Sequence, residues 1–510
     1  MASVVNRIIK NTGWLYAKMG VSLFLSLLTT RLVLSALGTT DFGIYNVVGG
    51  AIGMLGFLSS AMSSTTQRFM SYAEGENNQA DKIIIFNISL VIHLCVALLS
   101  VVILIVAGFY LLNGVLNIPE ERMPAVYVVY GSLVCSTFFT ITTVPYEAVL
   151  NSHENMKYYS MVSILDAVLK LLLAYYCTKT SYDSLIVYGI LMSAVPVLIL
   201  TVMRIYCHAK YTECKISVIK YFDKSKAKEI VKFASWSLLG QIGGIVGNYG
   251  QNIISNIFFG VVINAAEGVC AQVHSMLLVF SNNMLKSLNP VIVKSEGEHD
   301  REKMISWSLR GCKYAFIMFI WLTVPFAFEA NYILRLWLDV IPEWTVFFIQ
   351  MVFLRTQIEL MFGSLVTSLG ATGDIQSYNK VYSGLFIAAL GIVYAANSMG
   401  AGPEFRYWLL LFFIIIQGGA TVYLSNKHFG LQYWQYYKFV FKPVILLAVV
   451  VIIPAYLVSQ FFEEGPYRLM LTIITTWIVI IISLFTFFTD KTEKSYIKSI
   501  LQKIFIGINR

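Results

Sequence analysis

Charged side chains are scarce in this sequence, since Asp, Glu, Lys and Arg together make up only 13% of it. That share is about half of what a soluble globular protein carries. Hydrophobic residues make up 57% of the chain, and the mean hydropathy is +0.70. Apolar runs of about 20 residues, the length that a helix needs to cross a bilayer, recur along its whole length. The composition therefore excludes an ordinary soluble enzyme and indicates a multi-pass membrane protein.

The motifs of common catalytic and metal sites are also missing. There is no HExxH, GxSxG or Walker A motif, and the seven cysteines show no CxxC or Cys/His ligand spacing. The net charge of +9 comes from basic residues gathered between apolar runs, which fits membrane orientation better than nucleic-acid binding. We therefore expect a transporter rather than an enzyme, with no metal and no cofactor. Coupling to a proton or sodium gradient stays open.

The apolar runs and their Gly, Pro and charged breaks predict an all-α fold of fourteen transmembrane helices, numbered in chain order. Helices one and two cover about 12–36 and 43–70, and helices seven and eight cover about 232–259 and 265–292. Lysine and arginine are concentrated in alternate loops, which predicts that both termini are cytoplasmic. The chain then divides into an N-terminal six-helix bundle (1–208), a basic cytoplasmic linker (209–231), a C-terminal six-helix bundle (232–426), and two extra helices with a basic tail (427–510).

An internal repeat relates the two halves. A shift of 222 residues aligns Lys10 with Lys232, Trp14 with Trp236, Gly38 with Gly260, and the motif Glu-Gly-Glu at 74–76 with the same motif at 296–298. The shared offset indicates a duplication in which both halves have the same topology. Substrate is then expected to pass between the halves.

Polar residues inside predicted membrane helices are the candidates for substrate contact, because an ionisable group there usually faces a cavity or a partner. In helix one, Lys18 shares a face with Ser22 and Thr29. Arg31 is rotated about 140° from that face and lies near the outer end of the helix, so it is the weaker candidate. Helix seven carries a face with the amides Gln241, Asn248 and Asn252.

Further candidates lie in four other helices. Arg68 and Lys286 occupy comparable depths in the two halves and are predicted to attract a phosphate, while His274 adds a polar group to helix eight. Snorkelling to the membrane surface is the alternative for both cations. Two pairs at i,i+4 spacing, Asp166 with Lys170 and Arg355 with Glu359, are read as structural ion pairs or as coupling groups.

Two stretches of the first helices carry a family resemblance. RLVLSALGTTDFGIYNVVGG (31–50) and SSAMSSTTQRFMSYAEGE (59–76) resemble the Wzx-type polysaccharide and O-antigen flippases. That group belongs to the multidrug/oligosaccharidyl-lipid/polysaccharide (MOP) exporter superfamily, with the MATE drug exporters and the lipid II flippases. The resemblance implies a V-shaped, MATE-like pair of six-helix bundles that works by alternating access.

The same resemblance implies a substrate and a location. The expected cargo is an undecaprenyl-diphosphate-linked oligosaccharide repeat unit, moved across the bacterial inner membrane for O-antigen (lipopolysaccharide), capsule or exopolysaccharide synthesis. The polysaccharide polymerase machinery is an expected partner, and nucleic acid is not. Two alternatives remain, a cation-coupled multidrug antiporter and a lipid II flippase. The two extra helices resemble the fourteen-helix arrangement of the lipid II flippases. A drug antiporter would be expected to carry an acidic residue in helix one or seven, where this sequence has Lys18, Arg31 and amides.

Overall fold

The computed structural model of the protein describes residues 2–53, 56–112, 119–338 and 341–489, and most of them are helical. The helices of the first half are α1 (Ala2–Gly53), α2 (Gly56–Gly75), α3 (Gln79–Tyr110), α4 (Met123–Ser152), α5 (Met156–Cys177), α6 (Ser184–Lys210) and the short α7 (Val218–Tyr221). Those that follow are α8 (Lys224–Gly297), α9 (Arg301–Phe328), α10 (Ala330–Trp337), α11 (Thr345–Leu360), α12 (Gly363–Ala371), α13 (Ile375–Ser398), α14 (Phe405–Phe429), α15 (Tyr433–Tyr436), α16 (Lys442–Phe461) and α17 (Pro466–Ser483).

Within the described residues, eleven helices are long and apolar enough to cross a membrane. The count becomes twelve if α11 and α12, which meet at a 40° bend, form one span. The predicted second and seventh helices are the two that do not qualify, although the structure is helical there. Their sequences explain this, because the second is rich in serine and threonine and the seventh in glycine and amides. The all-helical membrane fold is thus established, while the count of fourteen and the orientation stay predictions.

The chain forms two compact units. The N unit comprises residues 8–241 and 293–300, and the C unit comprises residues 1–7, 242–292 and 301–510. The long helix α8 therefore contributes residues to both units. The two last membrane helices, α16 and α17, pack on α9 within the C unit. Glu329 is fully buried there, and it accepts hydrogen bonds from Arg468 Nε at 2.9 Å and Thr472 Oγ1 at 2.8 Å.

Ion pairs connect the helix ends and turns at both ends of the N unit. At one end, Arg122 binds Asp41 on α1 and Asp183, the N-cap of α6, with an Arg122–Asp183 distance of 2.7 Å. At the other end the turns after α2, α4 and α6 meet. Glu74 there lies 2.8 Å from Lys82 and 3.4 Å from both His153 and Lys294. Successive turns of this unit therefore lie at alternate ends, as helices that repeatedly cross a membrane require.

Two kinks in the long helices occur at positions related by the repeat. Gly38 interrupts α1 with φ 72°, and Gly260 interrupts α8 with φ 75°. A left-handed backbone costs little only for glycine, so these residues allow the chain to turn between consecutive spans. The turns after α2 and α8 also correspond, because Asn77 (φ 53°) and His299 (φ 57°) both adopt the left-handed conformation. The 222-residue offset thus recurs in the backbone conformation.

The repeated Glu-Gly-Glu motifs meet within the N unit. A Cβ built on Gly75 would lie 2.2 Å from the carbonyl oxygen of Lys294, and one built on Gly297 would lie 2.1 Å from that of Tyr72. These two contacts are related by the same 222-residue shift. Because the obstructing atoms belong to backbone, only glycine fits at either position. We call this contact the glycine crossing.

Candidate substrate cavity

A cavity of about 580 Å³, with polar side chains on three of its four sides, lies within the N unit between α1, α4, α5 and α6. Each polar wall follows from helical spacing, because residues three or four apart share a face. The wall of α1 carries Lys18, Ser22, Ser26, Thr29 and Thr30; the wall of α4 carries Ser136, Thr140, Thr143 and Glu147; and the wall of α5 carries Ser163, Asp166 and Lys170. Apolar side chains of α6 line the remaining side.

The hydroxyl groups of this cavity are oriented by their own helices. Thr30 donates to the carbonyl of Ser26 at 3.0 Å, Thr140 to that of Ser136 at 2.9 Å, and Ser163 to that of Tyr159 at 3.0 Å. A hydroxyl has one donor and two acceptor lone pairs. With the donor engaged by the backbone, each of these groups presents acceptor sites to the cavity. The walls therefore suit a ligand that is rich in hydroxyl donors.

The charges of the cavity are mixed in sign. Asp166 and Lys170 form the predicted ion pair, with 2.8 Å between Oδ2 and Nζ. Lys18 Nζ lies 4.8 Å from the ring centre of Tyr159, and Glu147 supplies a carboxylate on the α4 wall. Apart from the Asp166–Lys170 pair, the described lining therefore carries one cation, Lys18 on α1, and one carboxylate, Glu147 on α4.

The structure places the other predicted residues of the N unit away from this cavity. Arg31 is exposed and does not line the cavity, although its neighbours Thr29 and Thr30 do. The guanidinium carbon of Arg68 lies 4.5 Å from the ring centre of Phe69 and 5.3 Å from that of Phe233, so aromatic packing holds it. Gln241 donates to Ser60 at 3.5 Å. Asn248 belongs to the C unit, and its side chain lies outside the described part of the structure.

The C unit contains its own smaller cavity of about 270 Å³. Three predicted residues, Asn252, His274 and Arg355, line it together with Glu267 and Arg406. Arg355 also borders a space of about 50 Å³ that Glu359 lines. Among the described residues, no ion pair within 4.0 Å joins Arg355 to Glu359. Lys286 lies elsewhere on α8 and does not line the 270 Å³ cavity.

Several residues of these cavities were not among the predicted ones. On α4, Ser136, Thr140, Thr143 and Glu147 repeat at helical spacing, so the periodicity that singled out Lys18 could have found them. Glu267 and Arg406 gave no such signal, because they lie on different helices and meet only in the fold.

A second ionic site that was not predicted lies at the end of the N unit where the turns meet. His153 bonds Glu213 through Nε2 and lies 3.4 Å from Glu74 through Nδ1, with its ring stacked on Tyr211 at 4.4 Å. Burial disfavours the charged imidazole, but the two carboxylates outweigh burial and raise the pKa of His153 to about 9. Burial likewise opposes ionisation of Glu74, but hydrogen bonds from His153 and Lys82 lower the pKa of Glu74 to about 2.

Solved structures with the same fold are membrane transporters. The chain matches an outward-facing multidrug resistance MATE family transporter of the MOP superfamily with a TM-score of 0.72 and 12% sequence identity, over 82% of this chain and 95% of that one. It matches a MOP superfamily transporter from Pyrococcus furiosus Vc1 (TM-score 0.71, 12% identity, 82% and 95%) and the Vibrio cholerae MATE transporter VcmN in its bent form (0.67, 15%, 83% and 98%). The fold is therefore that of the MOP superfamily transporters.

Sequence comparison gives the family. The model of the family described as polysaccharide biosynthesis protein matches residues 8–296, more than half of the chain, and the chain belongs to that family. It is also 22% identical over 298 residues to the uncharacterized membrane protein EpsK of Bacillus subtilis (strain 168). That match covers 56% of this chain and 57% of EpsK, which is less than two thirds of the relative. The resemblance to Wzx-like MOP exporters is confirmed.

Proposed function

We propose that this protein is an alternating-access flippase for undecaprenyl-diphosphate-linked oligosaccharide repeat units in the bacterial inner membrane. The observation that carries the proposal is the 580 Å³ cavity of the N unit, whose walls present hydroxyl acceptors and the ammonium group of Lys18. Sugar hydroxyls are donors for such walls, and a diphosphate attracts a cation. Membership in a polysaccharide biosynthesis family supports the same substrate class.

The size of the cavity agrees with part of such a substrate. Ligand pockets commonly hold about 300–1,000 Å³, and 580 Å³ accommodates a few sugar rings but not a long lipid tail. The glycan and its diphosphate would occupy the cavity, while the polyprenyl chain stays in the lipid. The resemblance to the Wzx-type flippases implies transport from the inner to the outer leaflet.

Complementation tests the proposal. In cells that lack their own flippase, the wild-type protein with the cognate glycan pathway should restore surface polysaccharide, measured by gel profile and glycan immunoblot. Thr30→Val and Thr140→Val combined should lower restoration several-fold, because valine preserves shape while it removes the acceptors. Thr178→Val is the matched control, since Thr178 also donates to its own helix, at 2.7 Å from the Tyr175 carbonyl, but lies outside the cavity.

Variants of Lys18 provide a second test in the same complementation assay. Lys18→Gln should reduce restoration, while Lys18→Arg should retain more of it because the cation persists. Full restoration by a variant that combines Thr30→Val, Thr140→Val and Lys18→Gln would refute the cavity assignment. If the wild-type protein restores no glycan but lowers sensitivity to cationic drugs, the multidrug antiporter is the correct function.

A further inference from the structure

The 270 Å³ cavity of the C unit contains two arginines that differ in how they are neutralised. Arg406, on α14, pairs with the buried carboxylate of Glu267. It also bonds Ser255 at 3.2 Å and Asn252 at 3.3 Å, and Ser255 donates to Glu267 at 2.7 Å. The charge of Arg406 is thus compensated by protein groups.

Arg355, on α11, has no such compensation. Its Nε atom is buried and has no acceptor, and no ion pair to Arg355 occurs in the described ranges. Among the described residues that line the cavity, Glu267 is the only acidic one, and it is already paired with Arg406. His274 Nε2 is engaged with Thr356 Oγ1 at 2.8 Å. An uncompensated guanidinium inside a membrane protein is costly, so residues of this kind usually serve a ligand or a pathway.

The charges of the described lining residues point to the kind of ligand. Arg355 and Arg406 are both cationic, and Glu267 is the one carboxylate beside them among the described residues that line the cavity. The lining therefore carries an excess of positive charge, which attracts an anion and repels a simple cation.

We propose that this cavity is an oxyanion site in which Arg355 binds a carboxylate or phosphate group. A guanidinium binds either oxyanion through two parallel hydrogen bonds. About 270 Å³ holds one acidic sugar ring or one diphosphate group, but not an oligosaccharide. The inference rests on the proposed function for the biological source of the anion. That source is either an acidic sugar of the repeat unit or the diphosphate of the carrier.

Calorimetric titration of the purified full-length protein in nanodiscs tests the site with three probes: glucuronate, neutral glucose and inorganic pyrophosphate. The wild type should bind at least one anion and bind glucose at least tenfold more weakly. Arg355→Gln should weaken binding of the anion at least tenfold, and Arg355→Lys should weaken it less. Arg335→Gln is the matched control, because Arg335 is 67% exposed, pairs with Glu464 at 3.4 Å and lies outside the cavity in the same unit.

The probes also separate the two sources of the anion. Tighter binding of glucuronate assigns the site to an acidic sugar, and tighter binding of pyrophosphate assigns it to the carrier. If Arg355→Gln does not fold, a rise in the wild-type melting temperature with an anion, and none with glucose, supports the site. Absence of anion binding by the wild type, or equal binding by folded Arg355→Gln, overturns it. Neither result affects glycan restoration by the wild type, so the two proposals fail separately.

Discussion

Replacement of Gly297 by alanine is expected to separate two helices that touch through their backbones. The added Cβ would lie 2.1 Å from the carbonyl oxygen of Tyr72 and 3.2 Å from the amide nitrogen of Glu76. The first distance is about 0.9 Å short of the 3.0 Å below which Cβ contacts essentially do not occur. Side-chain rotation cannot relieve this overlap, because the obstructing atoms are backbone. The end of α8 must therefore move away from α2 by about an ångström.

The cost of that movement follows from the contacts it disturbs. Overpacking of a well-packed site costs about 1–3 kcal/mol. The ion pair between Lys294 and Glu74, at 3.4 Å, lies beside the crossing and would lengthen with it. In a unit of this size, each kcal/mol lost from the free energy of unfolding lowers the melting temperature by about 2–4 °C. Gly75→Ala should behave alike, because its Cβ would lie 2.2 Å from the Lys294 carbonyl.

The double variant gives the sharpest test. Either alanine separates the same two backbones, so Gly75→Ala with Gly297→Ala should cost clearly less than the sum of the single variants. The assay is thermal unfolding of detergent-solubilised protein, followed by fluorescence-detected size exclusion. Gly131→Ala is the control, since nothing lies within 4 Å of its Cβ position on α4 and alanine favours a helix. A wild-type melting temperature for Gly297→Ala, or strict additivity in the double variant, would refute the crossing.

Three further predictions concern charged groups. The pKa of His153 is raised from 6.5 to about 9, so its charged form stabilises the fold fully below pH 6.5, and that stabilisation is lost as pH rises through 9. The melting temperature of the wild type should therefore fall between pH 6.5 and 9, and that of His153→Gln should depend less on pH over the same range. Glu74, with its pKa lowered from 4.5 to about 2, contributes above pH 4.5 and loses that contribution as pH falls towards 2, which acid titration of the wild-type melting temperature checks. Glu329→Gln should cost about 3 kcal/mol, because the buried Arg468 then keeps only its longer ion pair to Glu464, at 3.7 Å. Adding Arg468→Gln should recover part of the loss, and a single variant that melts with the wild type would contradict this.

Much of the fold could be predicted because its causes are local. The scarcity of charge and the length of the apolar runs follow from the bilayer, which demands about 20 apolar residues for each helix. Gly38 and Gly260 could be related by their shared offset, and both adopt the left-handed conformation that interrupts a helix. Lys18 could be placed with Ser22 and Thr29, because residues on one helical face are set by spacing alone.

Identical spacing nevertheless led to different outcomes in the two predicted ion pairs. Asp166 and Lys170 lie 2.8 Å apart, whereas Arg355 and Glu359, also four residues apart, both border the 50 Å³ space but form no ion pair within 4.0 Å. Spacing brings two side chains to the same face, but neighbouring helices decide their rotamers. Arg68 also packs against the ring of Phe233, which is distant in sequence, and its predicted contact with a phosphate stays a prediction.

The sequence by itself determined the class of this protein, because composition, run length and helical periodicity are properties of short segments under the constraint of a membrane. Only the tertiary structure decided which polar residues share a cavity, because a cavity is enclosed by side chains from several helices. The meeting of Glu267 with Arg406, and the position of Arg355 beside them in one cavity, depend on how α8, α11 and α14 pack. The repeated Glu-Gly-Glu motif shows the same division: its offset was evident in the sequence, but the glycine crossing exists only where two backbones meet.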